Sequence, residues 1–494
     1  MARRPRFSTS ETSDERARPF DRVLKWGVLA AVIALVAWSV PKWPNAWRWM
    51  TGREPLYEPA HPVHLDQVDL DAVHRRLLAD WIIAADHATP GLQDERLDQA
   101  RQAMREAIAA DDNLTEIFDE IDALVSGGRV NGEQGVERVL WLSRAWSQYL
   151  SDNDAPYFVH ANVLSGPRRM FYAHTYRVTA DTSGTVDDES YRVRALSRLD
   201  RINLRELYLG YASNLDEGAL LISDRVVELA LDRIWPMLAS QPRGDRLQLA
   251  YAGAVAAEVR RDLPGSAVAV LTETAPARSD LVAVYDAMDA RRECSRFWVM
   301  RPPPRGYDDE VLDDLVDVID AGPCAAVKPS EMQTLRRATA TLREAAELDD
   351  ALQQLVAWVA RPVAIHELRH VADDDAFDLD EGRPCAVCTS TDPASVRAEV
   401  AAYAAELAWS DAPAVAAYQV CQTTQTADTV HGRARRVLTA ALGWTCEEGP
   451  PPDLSASMRA LEAESLQTSD AIALAADFPT RLPLSLRGPE TPAP

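Results

Sequence analysis

Apolar positions recur at spacings of three and four along most of this chain, the period of an amphipathic helix. Between about 65 and 152 three stripes follow one another: Val73, Leu77 and Trp81; Leu97, Met104 and Ile108; Ile117, Ile121 and Leu124. Gly127-Gly128 and Asn131-Gly132 interrupt the pattern and Val136 to Leu150 resumes it, so four helices are expected here. From about 157 to 200 the period falls to two. Met170 to Ala180 and Ser190 to Leu199 alternate around Asp181-Thr182-Ser183-Gly184, which predicts a β-hairpin, with Tyr157 to Leu164 as a third strand. Helical spacing returns over 203–260, 308–320 and 330–360, the last with Ser330 as its cap. Ser266 to Leu271 and Phe297 to Met300 are short apolar runs and read as strands. Arg361-Pro362 is expected to separate the long 330–360 helix from a further one, and Asp392-Pro393 to start the next.

Composition changes this picture at the N-terminus. The chain has 494 residues, 47% apolar and 26% charged, as a globular protein does. Its net charge of −24 argues against nucleic acid as a partner, because phosphate binding needs a basic face. The basic residues Arg3, Arg4, Arg6, Arg16, Arg18, Arg22 and Lys25 precede an uncharged run over 26–41. That order predicts a cytoplasmic segment (1–25) and a transmembrane anchor (26–41), with the bulk of the chain periplasmic or extracellular. A Pro/Trp-rich linker (42–64) follows, and the chain ends in a Pro-rich tail (477–494) expected to pack loosely. The six cysteines suit an oxidising compartment. Pairing sequence neighbours gives Cys294/Cys324, Cys385/Cys388 and Cys421/Cys446, one of several connectivities open to them.

The chemistry concentrates at His366-Glu367-Leu368-Arg369-His370, an HExxH motif. Two histidines four apart lie on one helix face, so both imidazoles reach one metal ion, and the adjacent Glu can act as base on a water there. With nine His in the chain, a chance match has a probability of roughly two per cent or less. The flanking Val363, Ile365, Leu368, Val371 and Ala372 suit a buried helix.

A catalytic zinc usually takes three protein ligands. The extended signature, with Gly and a third His three and six residues after His370, is absent, since Asp373 and Ala376 stand there. The 392–409 segment instead offers Glu399 and Glu406, two turns apart on one helix face and surrounded by small residues. Either could be the ligand. Here the sequence resembles the gluzincin class of zinc peptidases, whose ligand helix carries Glu followed by small residues and an Asp or Tyr, as in Glu399-Val400-Ala401-Ala402-Tyr403. The resemblance covers about 363–409 and departs at Arg369, where an uncharged residue is usual. It implies zinc held by His366, His370 and Glu399, Glu367 as general base, and a peptide or protein substrate. Tyr403, Tyr418 and His431 are candidates for stabilising the oxyanion.

The expected fold class is mainly α with a small β-sheet (α+β), a zincin-like catalytic region following an N-terminal transmembrane helix. The remaining divisions are a helical region (65–152), a β-hairpin plus helices (153–260) and a zinc metallopeptidase-like region (261–476). The expected function is a membrane-anchored, extracytoplasmic zinc-dependent peptidase. The alternative is a non-catalytic helical cell-envelope scaffold or binding protein with a degenerate zincin fold. Asp373, Asp374, Asp375, Asp378, Asp380 and Glu381 follow the motif. They are expected to form a solvated loop, the sharper alternatives being that they steer basic substrates or bind calcium.

Overall fold

The computed structural model describes residues 57–88, 93–125, 130, 132–164, 169–200, 202, 208–213, 218–291, 300–316, 327–377, 383–422, 429–468 and 471–484. The four early helices form as the apolar stripes predict: α1 (Leu78–His87), α2 (Glu95–Ile108), α3 (Asp112–Leu124) and α4 (Gly132–Asp152). Asp94 and Asp111 cap α2 and α3, their carboxylates accepting first-turn N–H groups. Asp111 also accepts from the His64 backbone N–H, and Asn113 exchanges hydrogen bonds with the His61 backbone. The end of the expected linker is therefore tied to these helices. His74 is buried, stacked on Tyr157, and accepts from the indole N–H of Trp146.

The sheet is larger than expected. Its strands are β1 (Tyr157–Leu164), β2 (Met170–Val186), β3 (Glu189–Arg198), β4 (Gly210–Ser213), β5 (Gly218–Ile222) and β6 (Ile472–Leu474). The order is β1-β2-β3-β5-β4, and β6 joins β2. The β3–β5 pair is parallel and the others antiparallel. β2 runs straight through the turn expected at 181–184. The chain reverses instead after Val186, where Asp187 takes φ 53°. A bulge between Val178 and Ala180 shifts the register and bends the long strand. β4 and β5 replace the start of the helix expected over 203–260. All five residues of β5 are buried, so it shows no period-two signal.

The fold-class expectation is corrected accordingly: a six-stranded mixed sheet accompanies the helices, in place of a small hairpin-based one. The N-terminal transmembrane helix is also set aside. Among the described residues no helix is long and apolar enough to cross a membrane, and 1–41 lies outside them.

After β5 come α5 (Ser223–Leu229), α6 (Arg246–Asp262), α7 (Gly265–Asp289), α8 (Asp309–Val316) and α9 (Pro329–Glu344). Ser266–Leu271, read as a strand, is the first part of α7, because six residues carry too little period to tell a buried helix from a strand. Most of the run 297–300 lies outside the described residues. α9 starts one residue before Ser330, with Glu331 accepting from the Lys328 N–H.

α10 (Leu348–Ala376) is one continuous helix through the break expected at Arg361-Pro362. Proline there forfeits one hydrogen bond and crowds the preceding turn. Burial of Val359, Ala360, Val363 and Ala364 around it holds the helix together. α11 (Ala394–Trp409), α12 (Pro413–Gln422), α13 (Val430–Leu442) and α14 (Leu454–Leu461) complete the helices used below. The first part of the tail is packed, not loose: Phe478 and Leu482 are buried, and Leu482 N–H donates to the Gln353 carbonyl.

Candidate metal centre

α10 lies against the sheet and against α11. Close approach has a cause on each side. Small residues, Ala401, Ala402, Ala404 and Ala405, let α11 come near. On the sheet side two glycines stand against α10. A Cβ on Gly184 of β2 would meet Leu368 Cδ1 at 2.3 Å, and one on Gly210 of β4 would meet Glu367 Cγ and Oε1 at 2.7 Å.

Within this layer the HExxH side chains and Glu399 converge. His366 Nε2 and His370 Nε2 are 3.2 Å apart. Glu399 Oε2 is 3.4 Å from the first and Glu399 Oε1 is 3.5 Å from the second. Ligand atoms around a tetrahedral zinc with bonds of roughly 2.0–2.1 Å are about 3.3 Å from one another. Two imidazole nitrogens and a carboxylate fit that ion in donor type, with one ligand atom from each residue within 4.8 Å of the others. They form the His/Glu group able to hold a metal among the described residues.

Glu406 lies one step back. Its Oε2 is 3.2 Å from His366 Nδ1, on the far side of the ring from Glu399, and the carboxylate is 1% exposed. The two acids left open by the sequence thus occupy different positions: Glu399 faces the nitrogens that converge, and Glu406 holds the back of one imidazole. His431, from α13, places Nδ1 3.1 Å from Glu399 Oε2 and 3.2 Å from the Tyr403 hydroxyl. Tyr418 lies elsewhere, buried against Tyr251 and Gln422.

The charges shift as the packing dictates. Burial opposes charge on His366, but hydrogen bonds to Glu399 and Glu406 override it and carry its pKa well above 6.5. His370 moves the same way: burial opposes its charge, and Glu399 prevails. Burial would raise Glu399, yet His370, His366 and His431 hold it well below the usual carboxylate range. Glu367 is raised by burial, against the pull of the two histidines. Burial pushes Glu406 up to about 7, with His366 opposing. Tyr403 is driven well above 10 by burial and by the acids around it.

Arg369 is buried, not solvent-facing. It donates to Asp373 through Nε at 2.7 Å and reaches Thr468, while Arg383 binds the same Asp373 oxygen. Asp373 is therefore an internal partner of two arginines and not an acid lining a cleft. Asp378, Asp380 and Glu381 lie outside the described residues. Cys385–Cys388 and Cys421–Cys446 are disulfides. Cys294 and Cys324 lie outside the described residues.

The sequence reading missed Gly210 and Tyr208, because 203–260 read as helix. The signal available was Gly218-Ala219-Leu220-Leu221-Ile222, an apolar run bounded by glycine and too short for a helix. The chain matches no family model, no curated protein and no solved structure.

Proposed function

We propose that this protein is a zinc-dependent peptidase that hydrolyses peptide bonds by water attack. The observation that carries the reading is the convergence of His366, His370 and Glu399 at 3.2–3.5 Å, with the buried Glu367 carboxylate beside them. His366, His370 and Glu399 would hold the ion. The chemistry zinc supplies when bound is Lewis acidity towards water and a carbonyl oxygen.

The chain's own residues do the rest. Glu367 takes the proton of the attacking water and hands it to the departing amine, and its raised pKa moves it towards that dual task near neutral pH. His431 and Tyr403, linked to each other at 3.2 Å, are the donors available for the developing oxyanion. β4 is the end strand in the sheet order and lies beside Glu367. The two described disulfides favour an oxidising compartment as the place of action.

The test is metal content and peptide hydrolysis of the purified protein. One zinc per chain is expected, lost in His366→Ala, His370→Ala and Glu399→Ala. Glu367→Gln should keep the zinc and lose hydrolysis. A wild-type protein that binds no zinc, or a Glu367→Gln protein that still cleaves, overturns the reading.

A further inference from the structure

A large aromatic side chain exposed beside a reactive centre is available to meet a substrate. Among the described residues the exposed large apolar side chains are Val63, Leu164, Tyr208 and Leu249, and of these Tyr208 touches the candidate metal centre. Its side chain is 48% exposed, just ahead of β4. The Tyr208 ring centre is 6.1 Å from that of His431, whose Nδ1 contacts Glu399. On its other side it meets Tyr211 of β4 edge-on at 5.5 Å. Tyr211 in turn stacks face to face on His160 of β1 at 4.4 Å, because the sheet curls until its two end strands approach. The result is a continuous row of rings, His431–Tyr208–Tyr211–His160, leading from the metal ligands along the terminal strand.

We propose that this row is a specificity subsite that receives an aromatic side chain of the peptide substrate, and that Tyr208 is its determining residue. The inference rests on the peptidase reading above. An aromatic side chain of a peptide held at the centre can reach the half-exposed Tyr208 ring, 6.1 Å from that of His431. A planar ring there meets Tyr208 at a face or an edge, which rewards an aromatic group over an aliphatic one of similar size. Tyr211, itself stacked on His160, meets the Tyr208 ring edge-on and helps to hold it in place before substrate arrives.

The experiment uses zinc-loaded Glu367→Gln protein and blocked pentapeptides, acetyl-Ala-Ala-Xaa-Ala-Ala-amide, with Xaa Phe, Leu or Ala, and binding read by calorimetry. The Phe peptide should bind roughly tenfold more tightly than the Leu peptide, and the Ala peptide more weakly still. Tyr208→Ala in the same background should bind Phe and Leu peptides alike at unchanged zinc content, and Tyr208→Phe should restore the preference. Equal binding of Phe and Leu peptides, no binding of any, or a preference that survives Tyr208→Ala overturns the subsite. The peptidase reading fails separately, through absence of zinc or of cleavage in the protein with Glu367 intact.

Discussion

Glu406→Gln should move metal affinity and metal-free stability in opposite directions. The substitution keeps the volume of a side chain that is 1% exposed, so packing changes little. With His366 Nε2 turned to the metal, its Nδ1–H must find an acceptor, and Glu406 Oε2 stands 3.2 Å away. A charged acceptor there fixes the ring and raises its basicity, and losing such a partner typically weakens metal binding 10- to 100-fold, about 1.4–2.7 kcal/mol. Without metal the same carboxylate is a burden. Its folded pKa is about 7, against 4.5 when unfolded. An acid with a raised folded pKa is stabilising below the unfolded value, and that contribution is lost as pH rises through the folded one. At pH 8 the burden is on the order of 3 kcal/mol, which Gln removes. Two measurements separate the effects: zinc competition against a chelating indicator, and thermal unfolding at pH 8 with chelator present. The variant should hold zinc at least tenfold less tightly and, metal-free, melt higher than wild type. Unchanged zinc affinity would refute the role of Glu406 behind His366. A metal-free variant that melts lower would refute the assignment of net cost to its buried charge.

Gly210→Ala should lower kcat at unchanged zinc content. Its Cβ would lie 2.7 Å from Glu367 Cγ and 2.8 Å from the Leu220 carbonyl oxygen, so either the base or the strand must shift; full activity would show that the Glu367 carboxylate tolerates displacement. Burial lowers the pKa of His74 from 6.5 to about 4. The unfolded chain then binds the extra proton between those values, and stability falls by about 3 kcal/mol as pH drops through this window; urea unfolding should give a shallower acid slope for His74→Gln than for wild type. The disulfides should differ in worth. Cys421–Cys446 spans a sequence separation of 25 and Cys385–Cys388 only 3. Loop-closure entropy then assigns roughly 3–4 and 2 kcal/mol respectively; removing both cysteines of the first pair should lower the urea midpoint more.

The grouping of His366, Glu367 and His370 as candidate site residues was legible in the sequence because their spacing is local. HExxH fixes two imidazoles and a carboxylate by helix spacing alone. The run of small residues around Glu399 marks a helix built to approach another. The early helices were legible for a similar reason: each buries one stripe and leaves the other face wet. The fully buried parts carried no such contrast. β5 is covered on both faces, the start of α7 is a short apolar run, and Pro362 sits in a helix whose surroundings hold it in place. Local rules misread all three.

Spacing alone left Glu399 and Glu406 equivalent, one helix face offering both. Their difference came from what α10 and α13 bring to that face: His370 and His431 meet Glu399, and the back of the His366 ring meets Glu406. Glycine at 210 and the ring row from His431 to His160 are likewise products of tertiary packing. Segments far apart in the chain must meet before a missing Cβ or an exposed Tyr acquires meaning. The sequence by itself determined which groups could do chemistry, since that depends on residue type and helical period. Which of them face one another was decided only when the curled sheet and the neighbouring helices closed around α10, because burial and charge pairing are properties of the packed layers and not of any one segment.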